Sequence, residues 1–514
     1  MAYKQILINR FDRGVSIGRH VRGGIVAVAK HFDLTTFPNK IVPYRGLAAN
    51  TAGQFRIGNI LIGSNGIPYG VGTVSGSDSD GQLYDKATIA ADWAAMSFDG
   101  DTDALGSYRT LFEFGGYIYR TYGTKSGGAY NDGSAAGLLW VDFADGAGST
   151  QAFANGKDTV SNGVVHPKTG YAYVGHGNLI AQINSVGGTY LDNALTLPSN
   201  AAITCITPFG NYLAIAARVG SSTFAQSKVF LWDVVNANST VWDEVIDWPG
   251  DLQVIRTYYG YLIGVSSLGN TSYTLDRSGI QVYSYTLGGT PQKVVEFSTE
   301  RQTTTAPSAQ VNPNVNFIFN DKFYFSADVV GGSTSPKYYG LWSLSRSPID
   351  GGFCVTIEQG ATSDNSETSV LAAAKLADYA WFVHTANGTV TRIIDASDGD
   401  FSSTTFDCTS FLETVVNPGM DEADYEKLKT VSKIRINANF PHSTSQIKVY
   451  YRKDNATTWG TALITKTPSS PNTDNAGFQL TQQLAQARYY EFRVESIGGA
   501  ELVGFSYEYT VDSD

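Results

Sequence analysis

The sequence predicts an all-β chain, a β-propeller of about seven irregular blades followed by a C-terminal antiparallel β-sandwich. Three observations lead there. Of 514 residues, 54 are Gly, 30 Tyr and 26 Phe, while only 16% are charged, against about 25% in an ordinary soluble domain. Short aromatic strand pairs recur through the middle of the chain, and a stretch of clean alternation follows them. Helical faces with Lys, Glu and Arg at 3.6-residue spacing are nearly absent.

The repeat carries most of the weight. Its leading runs start at Gly66, Gly116, Gly170, Asn211, Gly260, Lys322 and Asp378, each an aromatic or β-branched run at a Gly, Asn or Asp turn. Trailing runs follow after loops of variable length: Leu138–Val141, Leu179–Ile183, Val229–Trp232, Ile280–Tyr283, Gly340–Leu344 and Val390–Ile394, three of them with Leu-Trp. A four-stranded sheet cannot cover both of its faces alone, whereas blades around an axis cover one another and keep exposed edges short. Apolar stretches ahead of the leading runs, Ile203–Ile206, Val254–Arg256 and Val315–Phe319, are then the innermost strands lining a central channel. The alternative is a set of unrelated hairpins in stacked sandwiches. Leu231-Trp232-Asp233 is the only Trp-Asp pair at a blade-like strand end, which argues against WD40 repeats.

Size fits this organisation, because 514 residues exceed one compact core of ordinary size. The expected divisions are an N-terminal extended arm at 1–50, the propeller at 51–410 and the sandwich at 411–514. The arm either adds a strand to the last blade or reaches a neighbouring subunit. In the last division a short helix over 420–427 precedes the alternating Val431–Ala438, whose period of two marks strands with one buried face. Gln446–Arg452, Gly477–Leu480, Tyr489–Glu495 and Leu502–Tyr509 read as its further strands.

A formal net charge of -11 argues against general affinity for nucleic acid. Residues 1–40 are locally basic. Cys205, Cys354 and Cys408 lie far apart without a CxxC spacing, so they read as reduced thiols in strands rather than as a disulfide framework or zinc site. The opening MAYKQILINRFDRG lacks the features of a secretory leader and no long apolar run occurs. Synthesis in a cytoplasm without a membrane anchor is therefore expected, and Asn238-Ser239-Thr240 and Asn387-Gly388-Thr389 read as turns.

No phosphate loop, HExxH, GxSxG or paired His–carboxylate cluster is present. The expectation is a chain that is not an enzyme, with no catalytic residues, no cofactor and no metal. His166 and His176 are the only histidines sharing a neighbourhood, and a hairpin between them is the one route to a shared site. The loops Gly76–Gly81 and Asp99–Asp103 alternate carboxylates as calcium loops do, without the closing Glu. No spacing selects a glycosidase carboxylate pair. Tyr258-Tyr259, Tyr338-Tyr339 and Tyr489-Tyr490 read as cross-strand packing or as platforms for sugar rings.

Asp454-Asn455-Ala456-Thr457-Thr458-Trp459 is similar to the Asp box, a structural hairpin of sialidase-type propellers, with Arg452 and Ala456 departing from its pattern. Together with Lys433–Ile436, Lys448–Arg452 and Gln483–Val494, it resembles the closing domain of tail nozzle or hub proteins of short-tailed bacteriophages. Phe11–Gly14, Lys30–Leu34 and Pro43–Leu47 are similar to openings of such virion proteins. The resemblance implies a virion structural protein in the tail, made in the host cytoplasm. It implies self-association into a ring, commonly a hexamer, against portal, adaptor and other tail proteins, with DNA passing transiently through the channel. The alternative is a carbohydrate-binding adhesin or receptor-binding tail protein.

Overall fold

The computed structural model describes residues 4–8, 26–30, 32–34, 40–43, 48–49, 55–74, 82–85, 93–96, 111–122, 125–126, 129–130, 137–144, 148–152, 160–186, 190–220, 226–268, 277–300, 308–330, 337–347, 351–359, 370–376, 380–385, 392–393, 410–414, 417–418, 420–454, 456, 458–468 and 473–512. Their fold is the expected one, a propeller of seven blades and a β-sandwich. Each blade is an antiparallel sheet that begins at the axis. The innermost strands are Phe55–Ile62, Leu111–Phe114, Val160–Val165, Ala201–Phe209, Asp251–Tyr258, Ser308–Phe319 and Val370–Leu376. The aromatic leading runs are the second strands and the Leu-Trp runs the third.

The recurring turn residues have a direct cause. Two-residue hairpins twist with their strands when both central residues take positive φ. In blade two these are Gly115 and Gly116, in blade five Tyr259 and Gly260, and in blade six Asn320 and Asp321.

Seven apolar cores, one at each seam between neighbouring blades, hold the ring. Tyr69, Leu83 and Met96 meet Leu111 and Ile118 between blades one and two. Tyr173 and Ile180 meet Ile215 and Trp232 between blades three and four. Some seams are so close that only glycine fits. A Cβ on Gly163 of blade three would come within 2.1 Å of Phe112 of blade two, and one on Gly264 of blade five within 2.4 Å of Trp248 of blade four.

The described strands of the segment expected as an extended arm are spread over four sheets, one of them the small pair of Phe32–Asp33 with Val42–Pro43. Lys4–Ile8 pairs with Glu501–Val511 in one sheet of the sandwich. Val26–Lys30 pairs with Ser410–Thr414 in the other, and also runs parallel to the outer strand of blade six. Ala48–Ala49 pairs with Arg392–Ile393 and supplies the fourth strand of blade seven, so the ring is closed by an early segment laid beside a late one. Ile57, Ile60 and Trp93 of blade one pack on Ala372 and Ala374 of blade seven to seal that seam.

The sandwich stacks the sheet holding Lys4–Ile8, Glu501–Val511, Lys429–Phe440 and Thr473–Thr481 on the sheet that continues outward from blade six through Ser410–Thr414, Tyr490–Ile497, Gln446–Lys453 and Ile464–Lys466. Its core is not separate. Phe492, Phe505 and Tyr507 belong to the same contiguous apolar cluster as Val254, Ile263, Phe325 and Trp342 of blades five and six. The expected helix is one turn, Glu422–Tyr425. Among the described residues no helix is long and apolar enough to cross a membrane.

Candidate functional site: the axial cavity

The innermost strands share an irregularity that shapes the axis. In blades one, three, four, five and seven the inner strand carries one extra residue relative to its partner, and in blade six it carries three, Pro313 to Val315. Such bulges bend a strand and re-aim the side chains beyond them.

Polar side chains at the bulges then stitch blade to blade. Asn162 of blade three donates from Nδ2 to the Ile206 carbonyl and accepts from the Ile206 N–H on Oδ1, both at 2.8 Å. Asn312 of blade six donates to the carbonyls of Val370 and Leu371 in blade seven at 2.9 and 2.8 Å. Thr204 of blade four reaches the Leu252 carbonyl of blade five at 3.2 Å, and Thr257 answers by donating to the Pro208 carbonyl. These bonds give partners to backbone groups on the inner-edge strands of blades four, five and seven.

Beyond the bulges, at the C-terminal ends of the inner strands, the seven blades enclose a cavity of about 810 Å³. That volume falls in the range of small-ligand clefts, about 300–1,000 Å³. Apolar walls such as Ile60, Phe112 and Phe317 alternate with amides and hydroxyls of Asn59, Asn162, Asn314, Asn316, Thr207 and Thr257. Among the described residues three charged side chains border it. Arg256 of blade five is half-buried, and loss of water lowers its affinity for its proton. Lys375 of blade seven lies 4.6 Å over the Phe319 ring, and Glu113 of blade two accepts the Ser64 N–H at 2.7 Å. Neighbouring Cys205 has its thiol pushed up to about 11 by burial, so it is neutral and no counter-ion for Arg256. The carbonyl oxygens of Asn314 and Asn316 find no donor. Sequence reading placed Val254–Arg256 and Val315–Phe319 in strands lining a channel, but not the constellation as a site, because its members come from strands scattered from residue 59 to residue 375.

The candidates raised from sequence resolve differently. His166 and His176 lie at opposite ends of Ala172–His176: Val160 pairs with His176, while His166 follows Val165, which pairs with Ala172. His166 contacts the Tyr212 carbonyl through Nε2 at 3.0 Å, and His176 contacts the Asp192 carbonyl at 2.9 Å. His166 thus ties blade three to blade four, whereas His176 bonds within blade three. Among the described residues no group of three His, Cys, Asp or Glu is placed to hold a metal.

Asp454, with φ of 48°, caps a turn by accepting the N–H groups of Arg488 and Tyr489 at 2.9 and 3.2 Å, and Trp459 donates to Glu413 at 3.1 Å. The Asp-box-like stretch thus joins strands. Tyr258, Tyr338 and Tyr490 are buried, as packing requires, whereas Tyr259 is exposed with Arg346 over its ring at 5.0 Å. Cys205 and Cys354 are buried free thiols, and Asn238 takes the positive φ of a turn. The loops 76–81 and 99–103, Asn387–Thr389, Phe11–Gly14 and Cys408 lie outside the described residues.

No protein-family model matches the chain, and a search of curated proteins finds no match. Solved structures do match, at low identity. The phage phi92 endosialidase is 9% identical over 73% of this chain and 80% of its own, with a TM-score of 0.39. A glycoside hydrolase family 43 arabinoxylan arabinofuranohydrolase from Bacillus subtilis is 11% identical over 79% and 96%, with a TM-score of 0.30. A Trypanosoma rangeli sialidase mutant displaying trans-sialidase activity is 10% identical over 96% of both chains, with a TM-score of 0.33.

These comparisons correct the expectation of a chain that is not an enzyme. The proteins it is similar to are named as enzymes acting on carbohydrate. The missing sequence motif behind that expectation was a weak ground, since residues that act together need not be spaced regularly along a chain.

Proposed function

We propose that this chain is a carbohydrate-recognising β-propeller, serving as a receptor-binding component of a phage tail, with its saccharide site in the axial cavity. The observation that supports the reading is the lining itself. Six amide or hydroxyl side chains are set among apolar walls in a cleft of about 810 Å³, the mixture that binds a ring with polar edges and apolar faces. The place in the virion rests on the likeness of the C-terminal strands to tail proteins.

A glycan array probed with the whole chain tests this, with released product read in the same samples. Binding that falls at least about tenfold in Asn314→Ala/Asn316→Ala, with thermal stability kept, supports the reading. Binding to no glycan, or binding untouched by the double substitution, overturns it.

A second reading, assembly into a tail ring, is favoured by one surface. Val235, Val241 and Leu287 are 62, 71 and 54% exposed on the turns between the third and fourth strands of adjacent blades four and five, which makes those turns the place to test for an interaction site. Light scattering of the purified chain decides it. A closed oligomer that dissociates in Val235→Asp/Val241→Asp is expected, and a monomer at all concentrations removes the reading.

A further inference from the structure

We propose that the axial cavity is built for an anionic saccharide, with the Arg256 guanidinium as the seat of the sugar's acidic group. The inference rests on the carbohydrate reading above and names the class of sugar.

Arg256 differs from four arginines that are paired with carboxylates, and from Arg120 and Arg346, which donate to the backbone carbonyls of Thr121 and Gly351. Arg218 is paired with Asp251, Arg435 with Glu508, Arg452 with Glu491, and Arg493 with both Glu413 and Glu495. Among the described residues no carboxylate is paired with Arg256. Its setting is otherwise well ordered: Asn316 of blade six and Cys205 of blade four both contact the carbonyl of the preceding Ile255, at 3.2 and 3.6 Å. Those two side chains hold the backbone at Arg256 from either side.

A guanidinium does not shed its proton at ordinary pH. Taking it from water therefore costs free energy that the protein here does not return. An anion entering the cavity returns it, and the planar fork of donors matches a carboxylate or a sulfate ester.

The remaining lining selects a sugar over a bare anion. Asn59 and Thr207 line the cavity beside the apolar Ile60, Phe112 and Phe317, a mixture suited to the hydroxyls and ring faces of a sugar, which a simple anion lacks. The charges are also separated. Arg256 and Lys375 stand on blades five and seven, while Glu113 stands on blade two, occupied by the Ser64 N–H. The acidic group is thereby directed to the side of blades five to seven. A neutral sugar gains nothing from Arg256, and an anion without hydroxyls or ring faces gains nothing from the mixed polar and apolar walls.

Calorimetric titration of the whole chain at low ionic strength tests this with four probes: a galacturonate tetrasaccharide, a sulfated galactan tetrasaccharide, maltotetraose and a short DNA duplex. At least one acidic tetrasaccharide is expected to bind more tightly than maltotetraose. Arg256→Gln is expected to weaken it by about 10- to 100-fold, the size of a hydrogen-bonded charge contact, with Arg256→Lys between the two and maltotetraose unchanged. The galacturonate and sulfate arms tell which acid is read.

Equal binding of acidic and neutral sugars, or acidic binding indifferent to Arg256→Gln, overturns the inference and leaves the carbohydrate reading standing. DNA binding as tight as the acidic sugars, with the same sensitivity, overturns it in favour of a general polyanion site. Binding of no sugar at all removes both readings together. Unchanged thermal unfolding of Arg256→Gln separates lost contact from lost fold.

Discussion

The axial cavity and the outer sheet of the sandwich both take arginines out of water, and they do so in opposite ways. On the sandwich sheet, Arg452 is paired with Glu491 and stacks 4.5 Å over Trp459, whose indole N–H donates to Glu413. Arg493 lies 3.6 Å from Glu413 and 2.9 Å from Glu495, which also accepts the Tyr450 hydroxyl at 2.9 Å. Burial raises the affinity of Glu413 and Glu491 for protons, and the neighbouring guanidinium groups work against that shift. Each of these five charged groups has its complement within the chain. Arg256 has none among the described residues. A buried ion pair tells of architecture, whereas an uncompensated ion beside a cavity tells of something yet to arrive.

The largest expected effect separates the two environments. Arg493→Met strips Glu413 and Glu495 of a partner and is expected to lower stability by about 3–5 kcal/mol, read as a reduced denaturant midpoint at constant slope. Arg256→Met in the same assay is expected to be neutral or slightly stabilising, and a comparable loss would erase the contrast.

Next comes the seam between blades four and five, where Gly264→Ala drives a methyl into Trp248. About 1–3 kcal/mol should be lost. Since one apolar cluster spans blades five and six and the sandwich, intrinsic fluorescence and circular dichroism are expected to follow one cooperative transition in both this variant and Arg493→Met. Two separated transitions would show that the regions are energetically distinct.

A comparable effect belongs to Lys429, which is fully buried and donates to the carbonyls of Tyr425 and Arg488. Loss of water brings its pKa down to about 8 from 10.5. Between those values the folded chain holds fewer protons than the unfolded one, so stability rises with pH through that window. The expected gain is on the order of 1–3 kcal/mol, and it is taken as the difference between the wild type and Lys429→Met in denaturant titrations at pH 7.5 and 10. Equal slopes for the two would refute it.

The smallest effect is that of Asn162→Ala, which removes both bonds to Ile206. A loss of about 1–2 kcal/mol is expected, seen as faster amide exchange at Ile206.

Strand pairs were legible because an aromatic run beside a positive-φ turn is local, and Gly116 or Gly260 announces its own hairpin. That the N-terminal segment adds a strand to the last blade was one of two expected outcomes, but its position was not legible, since Ala48 and Ala49 carry no pattern and their partners lie more than 340 residues on. Bulges also escape a reading of one strand, because an extra residue exists only relative to the neighbour it fails to match. The same holds for the cavity. Arg256 was legible as part of an innermost strand, but nothing in its run of Val, Ile, Thr and Tyr tells what stands around it until blades four and six flank it.

The pairing of Lys4 with Tyr509, and of Ala48 with Ile393, also sets an order of events in synthesis. The strands made first can dock only after those made last have left the ribosome. Until then an early strand and the unsealed flank of blade one stand open to any passing edge, a state in which long-range β pairing is slow and prone to aggregate. Maturation of this protein is therefore expected to depend on chaperone supply more steeply than that of a chain whose neighbours in space are neighbours in sequence.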